Sequence, residues 1–335
     1  MRQVNNPPNP YLKYSAEFLG EPPVAKLEIY EEWTTKKIIT KAWSADFGHR
    51  YTVNCYRGCI HACTYCFARQ YHEFIGYGAG TDFETKIVVK PNAPKLLREE
   101  LKRTRGKIHQ LDFSFATDPY LPLEASYELT RKCLQVCAEF RVPVGIITKS
   151  PLITRDLDIL KKLLPNLTVF FSIPFPDKEK SKPFELYTPT PEVRFRAMKI
   201  LTENGIKCGI GIAPVILGYN DSDIPVLLGK AREAGASRAF MSKIHFDTDS
   251  IEAYFVEKLR EKLPTKAEKI LNQIKREHGG TLRHRSYRER NAGITKKWEI
   301  VARIFDLHYK KLGFEAHKTE GSSQEKIPSV QAALF

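Results

Sequence analysis

The chain has 335 residues, 53 Lys and Arg against 39 Asp and Glu, a formal net charge of +14, and seven cysteines, four of them within residues 55–66. That length buries a full core. With no secretory signal and no apolar run of ~18 residues or more, a soluble, cytoplasmic protein without a membrane partner is expected. The clustered, odd-numbered cysteines exclude a disulfide scaffold in favour of a metal site in a reducing compartment, and the basic balance favours a polyanionic partner, nucleic acid before membrane.

Residues 1–45 open on Asn5-Asn6-Pro7-Pro8-Asn9-Pro10, too broken by proline for a helix or inner strand, and predict an extended arm over the core. A β-prone run at 51–55 delivers the chain into the cysteine loop. There Cys59, Cys63 and Cys66 present three thiolates to one point. Soft thiolates suit zinc or an iron–sulfur cluster, but a zinc ribbon needs a second ligand pair further along, and none is evident. A three-thiolate cluster leaves one iron open.

Past a helix at 93–102, short apolar runs at 111–116, 144–148, 167–173, 208–213 and 239–244 alternate with helical spacing at 125–140, 155–164, 191–204 and 224–234. This is βαβ repetition on a parallel sheet. With the run at 51–55 it gives six β/α units, short of the eight of a closed barrel, so residues 46–248 predict an α/β partial TIM barrel. Chemistry in such folds gathers at the C-terminal ends of the strands. The cysteine loop lies at that end, as do Thr117-Asp118-Pro119-Tyr120, Thr148-Lys149-Ser150, Ser172-Ile173-Pro174, Gly218-Tyr219-Asn220-Asp221 and Ser242-Lys243-Ile244-His245.

Residues 249–315 predict a basic helical extension with helices at 251–263, 266–277 and 296–311. Residues 266–303 hold 11 Lys or Arg against 4 acidic residues, half of the net charge. Arg283, Arg285, Arg288 and Arg290 interleave with Tyr287 on a glycine-broken loop suited to gripping phosphates. Residues 316–335 form a polar tail, expected to be flexible.

The cysteine loop, Cys59-Ile60-His61-Ala62-Cys63-Thr64-Tyr65-Cys66, resembles the CxxxCxxC signature of the radical S-adenosylmethionine (SAM) superfamily, including the aromatic before the last cysteine. More narrowly, the chain resembles the spore photoproduct lyase-like branch. Asn54-Cys55-Tyr56-Arg57-Gly58-Cys59, Asp82-Phe83-Glu84-Thr85-Lys86, Thr117-Asp118-Pro119-Tyr120, Thr148-Lys149-Ser150 and Ile212-Ala213-Pro214-Val215 carry the likeness, which runs to about residue 240.

The resemblance implies that Cys59, Cys63 and Cys66 hold a [4Fe-4S] cluster whose open iron takes SAM, and that an electron donor such as flavodoxin or ferredoxin reduces it. Lys149 resembles the lysine that meets the SAM carboxylate, and Ser172 and Thr117 the hydroxyl residues near its amino acid end. Tyr65 is the aromatic beside the cluster. Asp118, Tyr120 and Glu124 are candidates for supporting the site or walling the substrate. The implied activity is reductive cleavage of SAM to a 5′-deoxyadenosyl radical acting on nucleic acid, a DNA lesion in the nearest parallel; RNA or protein modification is the alternative. A third reading is a clamp-tethered binding protein whose cluster is structural or redox-sensing.

Two departures limit the parallel. Spore photoproduct lyase carries a hydrogen-donating cysteine just ahead of the acidic turn, where this chain has Phe115-Ala116-Thr117-Asp118 and no thiol. Cys133, Cys137 and Cys208 are expected in core packing rather than as its replacement. Cys55 stands where related chains tend to have proline, and is expected outside the cluster. At the other end, Gln331-Ala332-Ala333-Leu334-Phe335 resembles the peptide with which bacterial DNA enzymes bind the sliding clamp. Gln331, Leu334 and Phe335 fit that motif and Ala332 departs from its leucine.

Overall fold

The computed structural model describes residues 2–12, 21–44, 48–104, 106–283 and 295–315. Arg285, Tyr287, Arg288 and Arg290 lie outside the described residues, as does the whole tail with Gln331, Ala332, Leu334 and Phe335.

Among the described residues ten strands form two sheets: β1 Glu28–Glu31, β2 Ile39–Ser44, β3 Gly48–Val53, β4 Tyr56–Arg57, β5 Lys86–Val89, β6 Leu111–Phe113, β7 Val144–Thr148, β8 Leu167–Ser172, β9 Cys208–Val215 and β10 Arg238–Lys243. The large sheet runs β10-β9-β8-β7-β6-β3-β2. Neighbours from β3 to β10 pair in parallel, and β10 and β2 are its edges. These are the six expected β/α units in the expected order, an open partial barrel.

Helices Ala93–Thr104, Leu129–Phe140, Pro191–Glu203 and Ile224–Glu233 bury one apolar face each against the sheet. Strand interiors such as Ile146, Val169, Phe171 and Ile210 are fully buried, as parallel strands covered by helices must be. Inside the barrel the rings of Phe170 and Phe240 meet edge to face at 5.2 Å. They lie so close over β9 that a Cβ on Gly209 or Gly211 would stand 2.3 or 2.6 Å from a ring carbon, which is why that strand carries glycines at those positions.

Four elements differ from expectation. β1, inside the expected arm, pairs in parallel with β5. β2, inside the expected arm, joins the sheet antiparallel to β3. The predicted helix at 125–140 is two, Glu124–Tyr127 and Leu129–Phe140, broken at Glu128 with φ +52°. The buried Glu124 carboxylate causes the break by accepting from Thr130 N at 2.9 Å and Arg131 N at 3.0 Å, the free N–H groups that open the second helix. The predicted helix at 155–164 starts as a 3-10 turn, Pro151–Asp156, capped by Ser150, before α-helix Leu157–Lys162.

The N-terminal segment does lie over the core. Asn5 and Thr81 exchange backbone and hydroxyl hydrogen bonds, Asp82 N donates to Asn6 Oδ1 at 3.0 Å, and Asn9 Nδ2 donates to the carbonyls of Glu73 and Tyr77, both at 3.0 Å. Helices Asp249–Lys262 and Ala267–Glu277 build a second apolar cluster with Tyr65, Phe175, Phe184 and Phe246 beneath the cysteine loop, and Lys296–Lys311 packs on Ile224–Glu233.

Candidate active site

A cavity of about 280 Å³ opens at the C-terminal ends of the parallel strands, and Cys59, Cys63 and Cys66 line it. The loop that carries them is fixed by its backbone. Gly58 has φ +79°, and a Cβ there would stand 2.9 Å from Phe83 O, so glycine alone admits the approach that lets Cys59 N donate to Phe83 O at 2.8 Å. Ala62 takes φ +53° to reverse the chain between the first two cysteines.

Arg69, fully buried, then locks the loop. Its Nε and Nη2 donate to Cys63 O at 3.1 and 2.8 Å, Nη1 to Ala79 O and Gly80 O at 2.8 and 3.0 Å, and Nη2 to Glu84 Oε1 at 2.5 Å. All five guanidinium N–H donors are thereby used.

The segment after β8 runs antiparallel to the loop, with Cys63 paired to Glu185 and Thr64 N donating to Phe184 O at 2.8 Å. Beneath it the Tyr65 hydroxyl donates to Glu185 Oε1, Arg194 Nη2 meets Glu185 Oε2 at 2.5 Å, and Arg194 Nη1 donates to Ser172 O at 2.9 Å. Both ionic partners are buried. Burial works against the Glu185 carboxylate, but Arg194 and Lys149 outweigh it and hold its pKa below the usual value.

The expected SAM contacts gather on this wall. Lys149 lines the cavity with Nζ 5.8 Å from the Tyr65 ring centre. Burial opposes its charge, yet Cys63 and Glu185 outweigh burial and raise its pKa. Thr117 lines the cavity and its Oγ1 donates to Gly58 O at 2.5 Å, so its hydroxyl is left with acceptor capacity only. Ser172 lines the cavity with a long 3.5 Å contact to Ala213 O.

Asp118 ties the pieces together. Its Oδ1 accepts from Thr148 Oγ1 at 2.7 Å and Tyr120 N at 2.9 Å, its Oδ2 accepts from Lys149 N at 2.7 Å, and His61 Nδ1 stands 3.5 Å from Oδ2. Burial pushes the His61 pKa down to about 4, against the pull of Asp118, so the ring is neutral at pH 7.

Two expected candidates do not reach the cavity. Tyr120 is buried in the core. The Glu124 carboxylate serves the helix break and accepts from the Tyr56 hydroxyl and from Arg155 Nη2 at 3.1 Å. After Asp118 the chain turns away from the rim into the helix layer. Cys55 lies behind the loop, 3.6 Å from Cys133 Sγ, and with Cys137 and Cys208 belongs to the main core, as expected.

The contributions of Glu185, Arg194 and Arg69 had no local signal in the sequence; only His61, lying between two cysteines, had one. The end of β6 also differs from a plain strand end: Ser114 has φ +146° where the chain swings Phe115 to the cavity, a strained backbone of the kind that functional sites retain.

The donor set fits an iron–sulfur cluster. Three thiols face one cavity, while among the described residues no three His, Cys, Asp or Glu side chains converge closely enough to hold a single metal ion. Soft thiolates lining one cavity are the donors that an iron–sulfur cluster takes. Burial pushes the Cys59 thiol up to about 12 and Cys63 upward as well, with Lys149 opposing the shift at Cys63.

Comparison with known proteins gives the class. A profile of the Radical SAM superfamily matches residues 53–231, more than half of the chain, and the chain belongs to that superfamily, whose members use a [4Fe-4S] cluster and SAM. Two uncharacterized proteins are among its relatives. One, from Mycobacterium tuberculosis, is 36% identical over 200 residues, covering 58% of this chain and 59% of that protein. The other, from Methanocaldococcus jannaschii, is 32% identical over 228 residues, covering 68% of this chain and 81% of that protein.

Among solved structures, spore photoproduct lyase complexed with dinucleoside spore photoproduct shares the fold at a TM-score of 0.51 and 16% identity, covering 71% of this chain and 66% of that one. The match thus spans 59% of the mycobacterial relative and 66% of the lyase. No helix among the described residues is long and apolar enough to cross a membrane.

Proposed function

We propose that this chain is a radical SAM enzyme acting on nucleic acid, with an altered base other than spore photoproduct as its target. The observation that carries the reading is the convergence of Cys59, Cys63, Cys66, Lys149, Ser172, Thr117 and Asp118 on one cavity at the strand ends. The three cysteines hold the cluster. Lys149 meets the SAM carboxylate as a point charge, with its backbone fixed by Asp118. Thr117 and Ser172 offer oxygen acceptors to the SAM ammonium, and Tyr65 closes the wall behind them.

When bound, the cluster and SAM would supply the radical chemistry that takes a hydrogen atom from the substrate. The chain's own part is to orient both cofactors and to keep water out with Phe67, Phe115, Phe240 and Met241.

A low-potential flavin or iron–sulfur protein is the expected electron donor. Among the described residues no thiol beyond those three lines the cavity, which argues against direct reversal of spore photoproduct. The net charge of +14 supports a nucleic acid substrate.

Anaerobic reconstitution with iron, sulfide and a strong reductant is expected to give a brown protein that forms 5′-deoxyadenosine from SAM, and Cys63→Ala to reduce that product to background. A colourless, zinc-loaded protein with no product overturns the reading. Nucleosides recovered from the DNA and RNA of a strain lacking the gene then identify the target.

A further inference from the structure

The mouth of the cavity carries a row of rings that the proposed chemistry does not use. His245 and Phe67 line the cavity and stack at 6.2 Å with 25° between their planes. Tyr71 meets Phe67 edge-on at 6.3 Å, Phe74 follows Tyr71 at 6.1 Å, and Tyr11 meets Phe74 at 4.8 Å. The outermost two, Phe74 and Tyr11, are each 55% exposed despite touching one another.

Packing of the N-terminal segment does not require them, because Asn5, Asn6 and Asn9 already anchor it by hydrogen bonds. Solvent-facing rings at the mouth of a reaction cavity are an unfilled surface.

The other side of the mouth carries charges of both signs. Gln70 donates to Asp247 at 3.2 Å across the opening, and two residues on, Asp249 pairs with Arg283 at 2.6 Å. Arg283 starts the most basic part of the sequence. Helix Ala267–Glu277, which leads to it, exposes Lys269, Lys275 and Arg276. An aromatic row beside cations is the pairing that takes single-stranded nucleic acid, whose bases stack on rings while phosphates meet the charges. A duplex offers no such fit, since the faces of its bases are covered by their neighbours.

Resting on the nucleic acid reading above, we propose that this lip binds the unpaired nucleotides flanking the reacting one, with bases on Tyr71 and Phe74 and phosphate toward Arg283. The substrate is then single-stranded or locally opened nucleic acid, and the row of rings guides the strand into the cavity.

The test is fluorescence anisotropy of the full chain with a labelled, mixed-sequence oligodeoxynucleotide of about 20 nucleotides, its duplex, the matching RNA and heparin. The single strand is expected to bind more tightly than the duplex, and the DNA and RNA arms show which sugar is preferred. Phe74→Ala weakens single-strand binding about tenfold with the salt dependence unchanged. Phe74→Trp retains binding, and its fluorescence is quenched by the strand. Arg283→Ala lowers the salt slope by about one.

Equal or tighter duplex binding, an unaffected Phe74→Ala variant, or an equal loss of heparin binding overturns the proposal. Heparin has no bases, so an equal loss there points to a distorted surface or a protein-type ligand. Absence of 5′-deoxyadenosine with Phe74-sensitive binding intact sinks the radical reading and leaves the lip. Formation of 5′-deoxyadenosine without single-strand preference does the reverse.

Discussion

The two walls of the cavity are built on different principles. The cysteine wall is over-determined: Arg69 uses every donor, Glu185 and Arg194 form a buried pair under Tyr65, and Asp118 links His61 to the end of β7. The facing wall, from Phe240 to His245 at the end of β10, is sparsely fastened. A register shift interrupts β10 between Met241 and Lys243, and the buried Lys243 Nζ has no hydrogen-bond partner among the described residues, lying 5.1 Å over the Trp298 ring. A wall that holds cofactors of fixed shape benefits from rigidity. A wall that meets a variable or incoming group retains polar atoms that only the ligand can satisfy.

That contrast makes damage to the cysteine wall costly to stability. Removing one member of a buried ion pair strands the other charge, so Arg194→Met is expected to cost about 3–5 kcal/mol in urea unfolding. The double variant Arg194→Met, Glu185→Leu recovers much of that stability while still impairing SAM binding, because Ser172 O and the Tyr65 hydroxyl lose their partners. A single variant as stable as wild type would show the wall to be looser than its hydrogen bonds suggest.

The facing wall has its own sensitivity, to acid. Burial pulls His278 down to about 4 from a usual value of 6.5, with a bond to Leu282 O opposing and Lys243 and His245 adding to the shift. Between those values the unfolded chain takes up a proton that the native chain refuses, so this stability is present above pH 6.5 and is lost as pH falls toward 4. The loss amounts to at most about 1.4 kcal/mol per pH unit. His278→Gln is expected to flatten the pH dependence by that much, measured by urea unfolding at pH 7 and pH 5. An unchanged slope would place the titrating group elsewhere, His72 being a candidate with the same direction of shift.

Asp118 sits between these extremes. Asparagine there keeps the volume but turns one accepting oxygen into a donor, facing either Lys149 N or the Thr148 hydroxyl. SAM affinity is expected to fall about tenfold, with stability changed by less than ~2 kcal/mol. Equilibrium dialysis against the reconstituted protein measures it. A SAM affinity equal to wild type would remove Asp118 from the positioning of Lys149.

What the sequence made legible follows from how each signal is written. The six strands of the barrel and the cysteine loop depend on consecutive residues, so runs and spacing reveal them. β1, Glu-Ile-Tyr-Glu with every residue exposed, has no apolar run to detect. Glu185 and Arg194 lie on separate elements far from Tyr65 in sequence, and only the parallel placement of β8 beside β9 brings them under the loop. The break at Glu128 escaped because its cause is the Glu124 carboxylate, which local propensity reads as an ordinary helical residue. Motif proximity to Asp118 likewise makes Tyr120 and Glu124 candidates for supporting the site or walling the substrate, because it does not report where the chain turns; Tyr120 reaches the site only through its N–H to Asp118.

The smallest effect is the sharpest test of the contrast. Lys243→Met on the facing wall removes a buried ammonium that has no hydrogen-bond partner among the described residues, relieving desolvation, and among those residues loses the contact with Trp298 and the attraction of Glu277. Those terms are each about 1 kcal/mol and opposite in sign, so stability is expected to stay within about 1 kcal/mol of wild type or to rise. On the cysteine wall the equivalent change, charge to methionine at Arg194, costs several times more. The two are measured side by side by urea unfolding. If Lys243→Met destabilises as much as Arg194→Met, the ammonium is an integral part of the fold and the facing wall is not held open for a ligand. If it is neutral in stability yet turnover of the nucleic acid substrate drops while formation of 5′-deoxyadenosine persists, the ammonium acts on the substrate, and the division of labour between the walls holds.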